Sequence, residues 1–234
     1  MIYQVDRIVR DVRVCLDENR TSTSLLSSDD IETLTLDEEI QSKIVEAVDR
    51  VHMAAPYYML EQGHNINVDV EDEDDSDADG DTDEVVSYAP GIHWAPQECG
   101  WILLPEDFLR LVVFQMSDWE RPVYGVITPD SPEYKKQRSR VKALRGTSQR
   151  PVCALVVRPE GRALEFYSCK SNEATVDKAV YIPHAAIDEY GGVDISEQCY
   201  AAVVYTVAGL ALTSMNEPER ANIMMEKANS YLTK

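Results

Sequence analysis

The stretch that decides the fold is Tyr200-Ala-Ala-Val-Val-Tyr-Thr-Val-Ala-Gly-Leu-Ala-Leu212. It has no charged residue and is apolar on almost every side of a helix, which predicts the most buried helix of the molecule. Upstream, Asp194 and Glu197 have the spacing of a capping box, in which side chains bond the free amides of a first helical turn. Downstream of Pro218, apolar residues recur at helical spacing and predict an amphipathic last helix. The C-terminal part of the chain is therefore predicted to form a helical hairpin.

The N-terminal part of the chain also has helical patterns. A first helix is predicted by apolar residues at spacings of three and four, namely Val5, Ile8, Val12 and Leu16. Thr35 and Glu38 form a second capping-box pattern and predict the start of another helix. That helix should end near Ala55, because Pro56 disfavours helical geometry in the residue before it.

The middle of the chain has strand patterns. The clearest hairpin joins Val152–Val157 to Ala163–Tyr167 through a turn that contains Pro and Gly. Further predicted elements are strands at Gly100–Leu104 and Ala179–Pro183, a helix at Ser131–Leu144, and a helix or strand at Leu109–Met116. The sequence thus predicts a single α+β domain over residues 1–234. It would have a helical body, a C-terminal helical hairpin and several β-hairpins, of which the one at 62–90 is an insertion with a long acidic loop.

Acidic residues are concentrated in one segment. The 234-residue chain has 42 acidic and 22 basic residues, for a formal net charge of −20. Asp69–Glu84 contains 11 of the acids and no base, so the rest of the chain has a net charge of −9. Alternating residues at Ile66–Val70 and Glu84–Tyr88 predict two short strands that flank this acidic segment. We do not expect the chain to wrap nucleic acid, because phosphate binding needs clustered Lys and Arg.

The acidic segment also suggests a weak calcium site. Asp75, Asp77 and Asp79, followed by Gly80, match the opening of an EF-hand loop, whose carboxylates suit a hard cation. The twelfth position of that loop is Val86, where an EF-hand has a bidentate Glu. A solvated acidic loop or a protein contact is therefore the favoured interpretation, and no metal or cofactor is expected.

Seven bases within 16 residues form the opposite feature, the basic cluster Lys135, Lys136, Arg138, Arg140, Lys142, Arg145 and Arg150. One interpretation is an interaction site for phosphate or an acidic surface. The other is a helix face whose charges are simply solvated. The acidic segment of the same chain offers a natural counterpart, so we hypothesise that the two meet across subunits.

Cysteine usage and the motif search argue against secretion and against a familiar active site. The five cysteines are odd in number and widely spaced, without a C-x-x-C pair, which fits a reducing compartment. The apolar stretch Cys199–Met215 is shorter than the ~20 residues of a membrane helix, so a soluble protein is expected. The four histidines are scattered, and the common nucleophile, phosphate-loop and zinc motifs do not occur. We therefore expect a protein that is not an enzyme.

Four segments carry a family resemblance: Leu104-Pro-Glu-Asp-Phe-Leu109, Met116-Ser-Asp-Trp119, Tyr181-Ile-Pro183 and Tyr205-Thr-Val-Ala-Gly209. In this order they resemble the ring or adaptor proteins, also called connectors, at the head–tail junction of tailed phages, with the character of the crAss-like phages of gut Bacteroidetes. The resemblance covers roughly residues 95–234 and, in general character, the early helices.

The resemblance implies a structural role. Such proteins have a helical body with β elaborations and form a twelve-fold ring below the portal that extends the DNA channel. The expected partners are other copies of the chain, the portal, neighbouring ring or tail proteins, and DNA that passes without specific binding. The expected location is the virion, assembled in the cytoplasm of a bacterial host. The family has no catalytic residues to carry over. The size of the acidic insertion departs from the family, so the resemblance assigns it no role.

Three other interpretations remain open at this point. The chain could be a cytosolic interaction protein without catalysis, such as a scaffold or a chaperone. It could be a calcium-binding module that uses the acidic segment. It could also be an enzyme with an unfamiliar site.

Overall fold

The computed structural model describes residues 1–16, 35–66, 91–96, 99–137, 139 and 141–233. Its helices are α1 (Val5–Cys15), α2 (Leu36–Ala54), α3 (Pro132–Gln137), α4 (Tyr200–Ser214) and α5 (Pro218–Leu232), with 3₁₀ turns at Tyr57–Met59, Lys142–Leu144 and Glu197–Cys199. Its strands are β1 (Ile2–Gln4), β2 (His64–Asn65), β3 (His93–Ala95), β4 (Cys99–Leu103), β5 (Phe108–Met116), β6 (Val152–Arg158), β7 (Gly161–Tyr167), β8 (Val176–Pro183) and β9 (Gly192–Asp194). Helices and antiparallel strands together confirm the α+β class.

The chain divides into two compact units. Unit 1 combines both ends of the chain, Met1–Gln62 and Pro183–Lys234, and unit 2 is the interposed Gly63–Ile182. The interposed unit begins where the predicted insertion at 62–90 begins, but it extends to Ile182. The prediction of one domain over residues 1–234 stays a prediction, because two compact units can belong to one domain or to two.

Unit 1 is built around α4. Ten residues of this helix are buried, which confirms the prediction that it is apolar on almost every side. Helix α5 follows after a three-residue turn, so the predicted C-terminal hairpin is confirmed. Helix α1 contributes Ile8, Val9 and Val12 to the same core. The strands β1 and β9 pair antiparallel, with Tyr3 opposite Val193.

Helix α2 begins and ends as its sequence predicts. The Thr35 hydroxyl accepts a hydrogen bond from the Glu38 amide at 3.3 Å, and the Glu38 carboxylate accepts one from the Thr35 amide at 2.7 Å. This reciprocal pair confirms the capping box. The helix ends at Ala54, because Ala55 before Pro56 adopts an extended conformation.

Unit 2 contains two sheets. The first has the strand order β3-β4-β7-β6, and the second has the order β2-β8-β5. In the predicted hairpin, β6 and β7 pair from Val152 opposite Tyr167 to Arg158 opposite Gly161, which confirms its position and its turn. Gly161 adopts a φ of +141°, a conformation that favours glycine at this turn.

The core of unit 2 is rich in aromatic rings. Phe108, Phe114, Phe166 and Trp119 are buried in one apolar cluster. A second cluster lies against the first sheet and contains Leu103, Tyr134, Ala154, Val156, Ala163 and Tyr167. The ambiguous segment Leu109–Met116 is a strand, because it lies within β5.

Two local predictions are wrong. Asp194 does not cap α4: its carboxylate lies in β9 and accepts a hydrogen bond from Gln62 Nε2 at 3.0 Å, and the helix begins only at Tyr200. The helix predicted over Ser131–Leu144 is only the six-residue α3, followed by a separate 3₁₀ turn. Val141 and Leu144 are more than half exposed, so this segment lacks the buried apolar stripe that would hold a longer helix.

The predicted acidic hairpin lies outside the described residues, apart from its first residues at 62–66. The flanking strands at Ile66–Val70 and Glu84–Tyr88 are therefore not tested. Ile66 itself is buried in the aromatic core of unit 2.

Candidate interaction surface

The basic cluster begins on α3. Lys135 and Lys136 occupy the last turn of this helix, and both side chains are exposed. The ammonium of Lys136 lies 3.9 Å from the carboxylate of Glu133, one turn earlier. Such an exposed pair stabilises a helix by only about 0.2–0.5 kcal/mol. Because the pair is this weak, Lys136 can exchange Glu133 for an acidic group of a partner.

The structure describes part of the remaining cluster. Arg150 is exposed, and Arg145 is half-buried. Lys142 lies in the 3₁₀ turn, and its side chain is not described, while Arg138 and Arg140 lie outside the described residues. We call the four described side chains, Lys135, Lys136, Arg145 and Arg150, the basic surface.

A buried tyrosine fixes the basic surface to the sheet. Tyr134 lies between the exposed bases and the second apolar cluster of unit 2, and only 9% of it is exposed. Its hydroxyl donates a hydrogen bond to Oε2 of Glu165, in the middle of β7, at 3.1 Å. Because Tyr134 and Lys135 are adjacent in α3, this bond ties the helix that carries the exposed lysines to the sheet.

Backbone and amide contacts join the separate parts of the basic surface. Oε1 of Gln137 accepts a hydrogen bond from the amide of Gly146 at 2.8 Å, and the Gln137 amide group donates one to the Glu133 carbonyl at 3.2 Å. The amide of Glu120 donates to the carbonyl of Ser148 at 2.9 Å. The loop that carries Arg145 and Arg150 is thereby tied to α3 and to the segment after β5.

Glu165 accepts the hydrogen bonds that hold α3 and the neighbouring strand to β7. The carboxylate is 6% exposed, and its Oε1 accepts a hydrogen bond from the Arg158 guanidinium at 2.6 Å. Its Oε2 accepts hydrogen bonds from Tyr134 and from Tyr167. Burial and the carboxylate of Glu165 together raise the pKa of Tyr167 well above its usual value, so this hydroxyl remains a donor.

These bonds define what the group can do chemically. Both oxygens of Glu165 already accept bonds from donors of unit 2, so the carboxylate is arranged as an anchor and not as a free proton acceptor. A cleft of about 280 Å³ adjoins it and is lined in part by Gln137 and Tyr167. In this cleft the guanidinium of Arg158 lies 4.4 Å from the ring of Trp101. The ring of His93 also stacks on the Trp101 ring, with 4.0 Å between the ring centroids.

The aspartates proposed as a weak calcium site do not belong to the described part of the chain. Asp75, Asp77 and Asp79 lie outside the described residues. Within the described ranges, no group of three or more His, Cys, Asp or Glu side chains has a metal-binding arrangement. Cys153, Cys169 and Cys199 are buried thiols, while Cys15 and Cys99 are half-buried.

Sequence reasoning found the bases but missed the anchor beneath them. The signal for it was present, since Glu165 is the one charged residue in the apolar run Ala163-Leu-Glu-Phe-Tyr167. A single acid inside a buried strand predicts buried donors nearby. Tyr134, an aromatic residue within a highly charged segment, was the second signal.

Comparison with known proteins gives no further guide to this surface. No family model matches the chain, and no curated protein matches it. None of the helices in the described part of the chain combines the length and the apolarity needed to cross a bilayer.

Proposed function

We propose that this chain is a structural subunit of a head–tail connector ring of a tailed phage, which docks on the portal and extends the DNA channel. The observation that supports the proposal best is the architecture. Both ends of the chain form a helical unit, and a β-rich unit interrupts it between α2 and α4. A helical body with β elaborations is what the resemblance of the four sequence segments implies.

The residues of those segments have packing roles, which agrees with a structural protein. The hydroxyl of Tyr181 donates to the two carboxylate oxygens of Asp107, at 2.9 and 3.2 Å, and the rings of Phe108 and Tyr181 stack at 5.7 Å. These contacts join the segments Leu104–Leu109 and Tyr181–Pro183. Trp119 is buried, and its ring lies nearly perpendicular to that of Phe114, at an interplanar angle of 75°.

The charge of the chain suits a DNA channel. A formal net charge of −20 repels a polyanion, so DNA can pass such a subunit without adhering to it. Self-repulsion between copies would have to be offset by specific contacts in the ring.

Analysis of purified particles tests this function. We expect quantitative mass spectrometry of virions from the encoding phage to detect the chain at a copy number equal to that of the portal protein. As a control, proteins of infected cells that do not belong to the particle should be removed by the same purification. A chain that is abundant in infected cells and missing from the particles would favour a scaffold or chaperone and would overturn the proposal.

A further inference from the structure

We propose that the basic surface of unit 2 binds the acidic segment Asp69–Glu84 of a neighbouring copy of this chain. This contact rests on the proposed ring and specifies which two parts of adjacent subunits meet. The basic surface consists of Lys135, Lys136, Arg145 and Arg150, as defined above.

Charge complementarity is the first argument. The segment 131–150 holds 7 of the 22 bases and 1 of the 42 acids, so the rest of the chain has 15 bases and 41 acids. The acidic segment has 11 acids and no base. The basic surface is therefore an exception in an acidic protein, and the acidic segment is its strongest opposite charge. Opposite patches of this kind steer association and fix its register.

The second argument is that the basic surface is held in place before any partner arrives. Tyr134 ties α3 to Glu165 in the sheet, and Gln137 ties it to Gly146. The backbone that carries the bases is fixed in this way, so only the exposed side chains lose freedom when a partner binds, and more of the electrostatic attraction contributes to affinity.

The third argument concerns the geometry of rings. A ring repeats one heterologous interface, in which each copy offers two different surfaces that fit each other. This chain has a basic surface and an acidic segment, which are different parts of opposite charge. DNA fits the basic surface less well, since it would be repelled by the rest of the chain.

Isotope-mixed cross-linking tests the contact directly. Unlabelled and ¹⁵N-labelled full-length chains are mixed at high salt, which screens the contact, and are then returned to low salt. A zero-length carbodiimide reagent joins carboxylates to lysine amines that touch. We expect cross-links between Asp69–Glu84 and Lys135 or Lys136, including pairs of one labelled and one unlabelled peptide. Cross-links within single copies only, or none between these segments, would overturn the proposal.

A charge exchange gives a second, independent test. One variant carries K135E, K136E and R150E. The other replaces seven acids of the acidic segment by Lys, which changes the charge of that segment from −11 to +3: Asp72, Asp74, Asp75, Asp77, Asp79, Asp81 and Asp83. Each variant alone should lose about tenfold or more in assembled fraction by mass photometry, because like charges would meet at every contact. An equimolar mixture should recover assembly, since each variant then meets its complement. A control with R10E, K170E and K178E changes three exposed bases elsewhere and should assemble normally.

The outcomes separate this contact from the proposed function. Chains present in virions without mixed cross-links would overturn the contact and leave the connector role standing. Mixed cross-links in a chain that is missing from virions would overturn the connector role and keep the contact. If the variant with K135E, K136E and R150E assembles normally but loses retention on a duplex-DNA column, DNA is the occupant and the proposal is wrong.

Discussion

Glu165 shows how a single buried residue supports an exposed surface. Its carboxylate accepts hydrogen bonds from Arg158, Tyr134 and Tyr167, so one strand residue holds two strands and α3 together. The exposed bases carry the proposed binding function, but their positions depend on this acid. About 30% of the Arg158 side chain is exposed, so solvent screens part of that ion pair.

Replacing Glu165 should destabilise unit 2. Glu165→Leu keeps the volume but leaves the Arg158 charge and two hydroxyls without their acceptor. We expect a loss of about 2–3 kcal/mol, below the ~3–5 kcal/mol of a fully buried broken pair because Arg158 is partly exposed. Urea unfolding followed by tryptophan fluorescence measures it, since Trp94, Trp101 and Trp119 all belong to unit 2.

Glu160→Leu is the matched control for that substitution. Glu160 is exposed in the turn of the same hairpin, so its replacement should change the stability by less than about 0.5 kcal/mol. Equal unfolding midpoints for the two variants would contradict the anchoring role of Glu165.

At the scale of elements, the contact between α4 and α5 is set by a glycine. A Cβ atom built on Gly209 would lie 3.0–3.2 Å from three side-chain atoms of Met225. The two helices therefore approach closely at this point, as small residues on facing helices allow. The apolar character of α4 gives unit 1 its core, and this close approach fixes the position of α5 on it.

A larger side chain at Gly209 should disturb the helical hairpin. Overpacking costs about 1–3 kcal/mol, whereas Leu is about 0.8 kcal/mol better than Gly inside a helix. We therefore expect Gly209→Leu to destabilise the chain by up to about 2 kcal/mol, measured by thermal unfolding with circular dichroism at 222 nm. Adding Met225→Ala should recover part of the loss by making room.

The exposed end of α4 supplies the control for this substitution. Ser214→Leu adds the same side chain where solvent can accommodate it, and it should leave the melting temperature nearly unchanged. If Gly209→Leu and Ser214→Leu have the same melting temperature, the close packing of α5 on α4 at this point is refuted.

Elements with one strong local signal were predictable from the sequence. Helix α2 has its capping box and its proline, and the β6–β7 hairpin has its turn residues, so both occur where expected. Asp194 failed as a cap because a partner far along the chain, Gln62, holds its carboxylate in a strand. Local spacing cannot reveal such a partner.

The same distinction applies to the candidate surface. The bases form a cluster in the sequence, so they could be found without a structure. Glu165 and Tyr134 each stand out in the sequence, but their pairing could not be predicted, because they are 31 residues apart and meet only in the folded unit. Likewise, α3 is short because Val141 and Leu144 stay exposed, which depends on what packs nearby.

At the scale of the whole molecule, the distribution of charge is the dominant feature. A net charge of −20 would drive copies apart, but the charge is divided between one acidic segment, one basic surface and a moderately acidic remainder. In the proposed ring, the basic surface of one copy meets the acidic segment of the next. The net acidity of the whole chain is the property that the proposed DNA channel would use, because like charge repels DNA.

The central claim is that this chain is a subunit of a ring at the head–tail junction, and electron microscopy of purified virions tests it most directly. Particles labelled with an antibody fragment against this chain should carry the label at the portal vertex alone. Averaged views along the tail axis should show the labelled density repeated with the twelve-fold symmetry expected of a connector. Label absent from the vertex, or scattered over the capsid surface, would contradict the account.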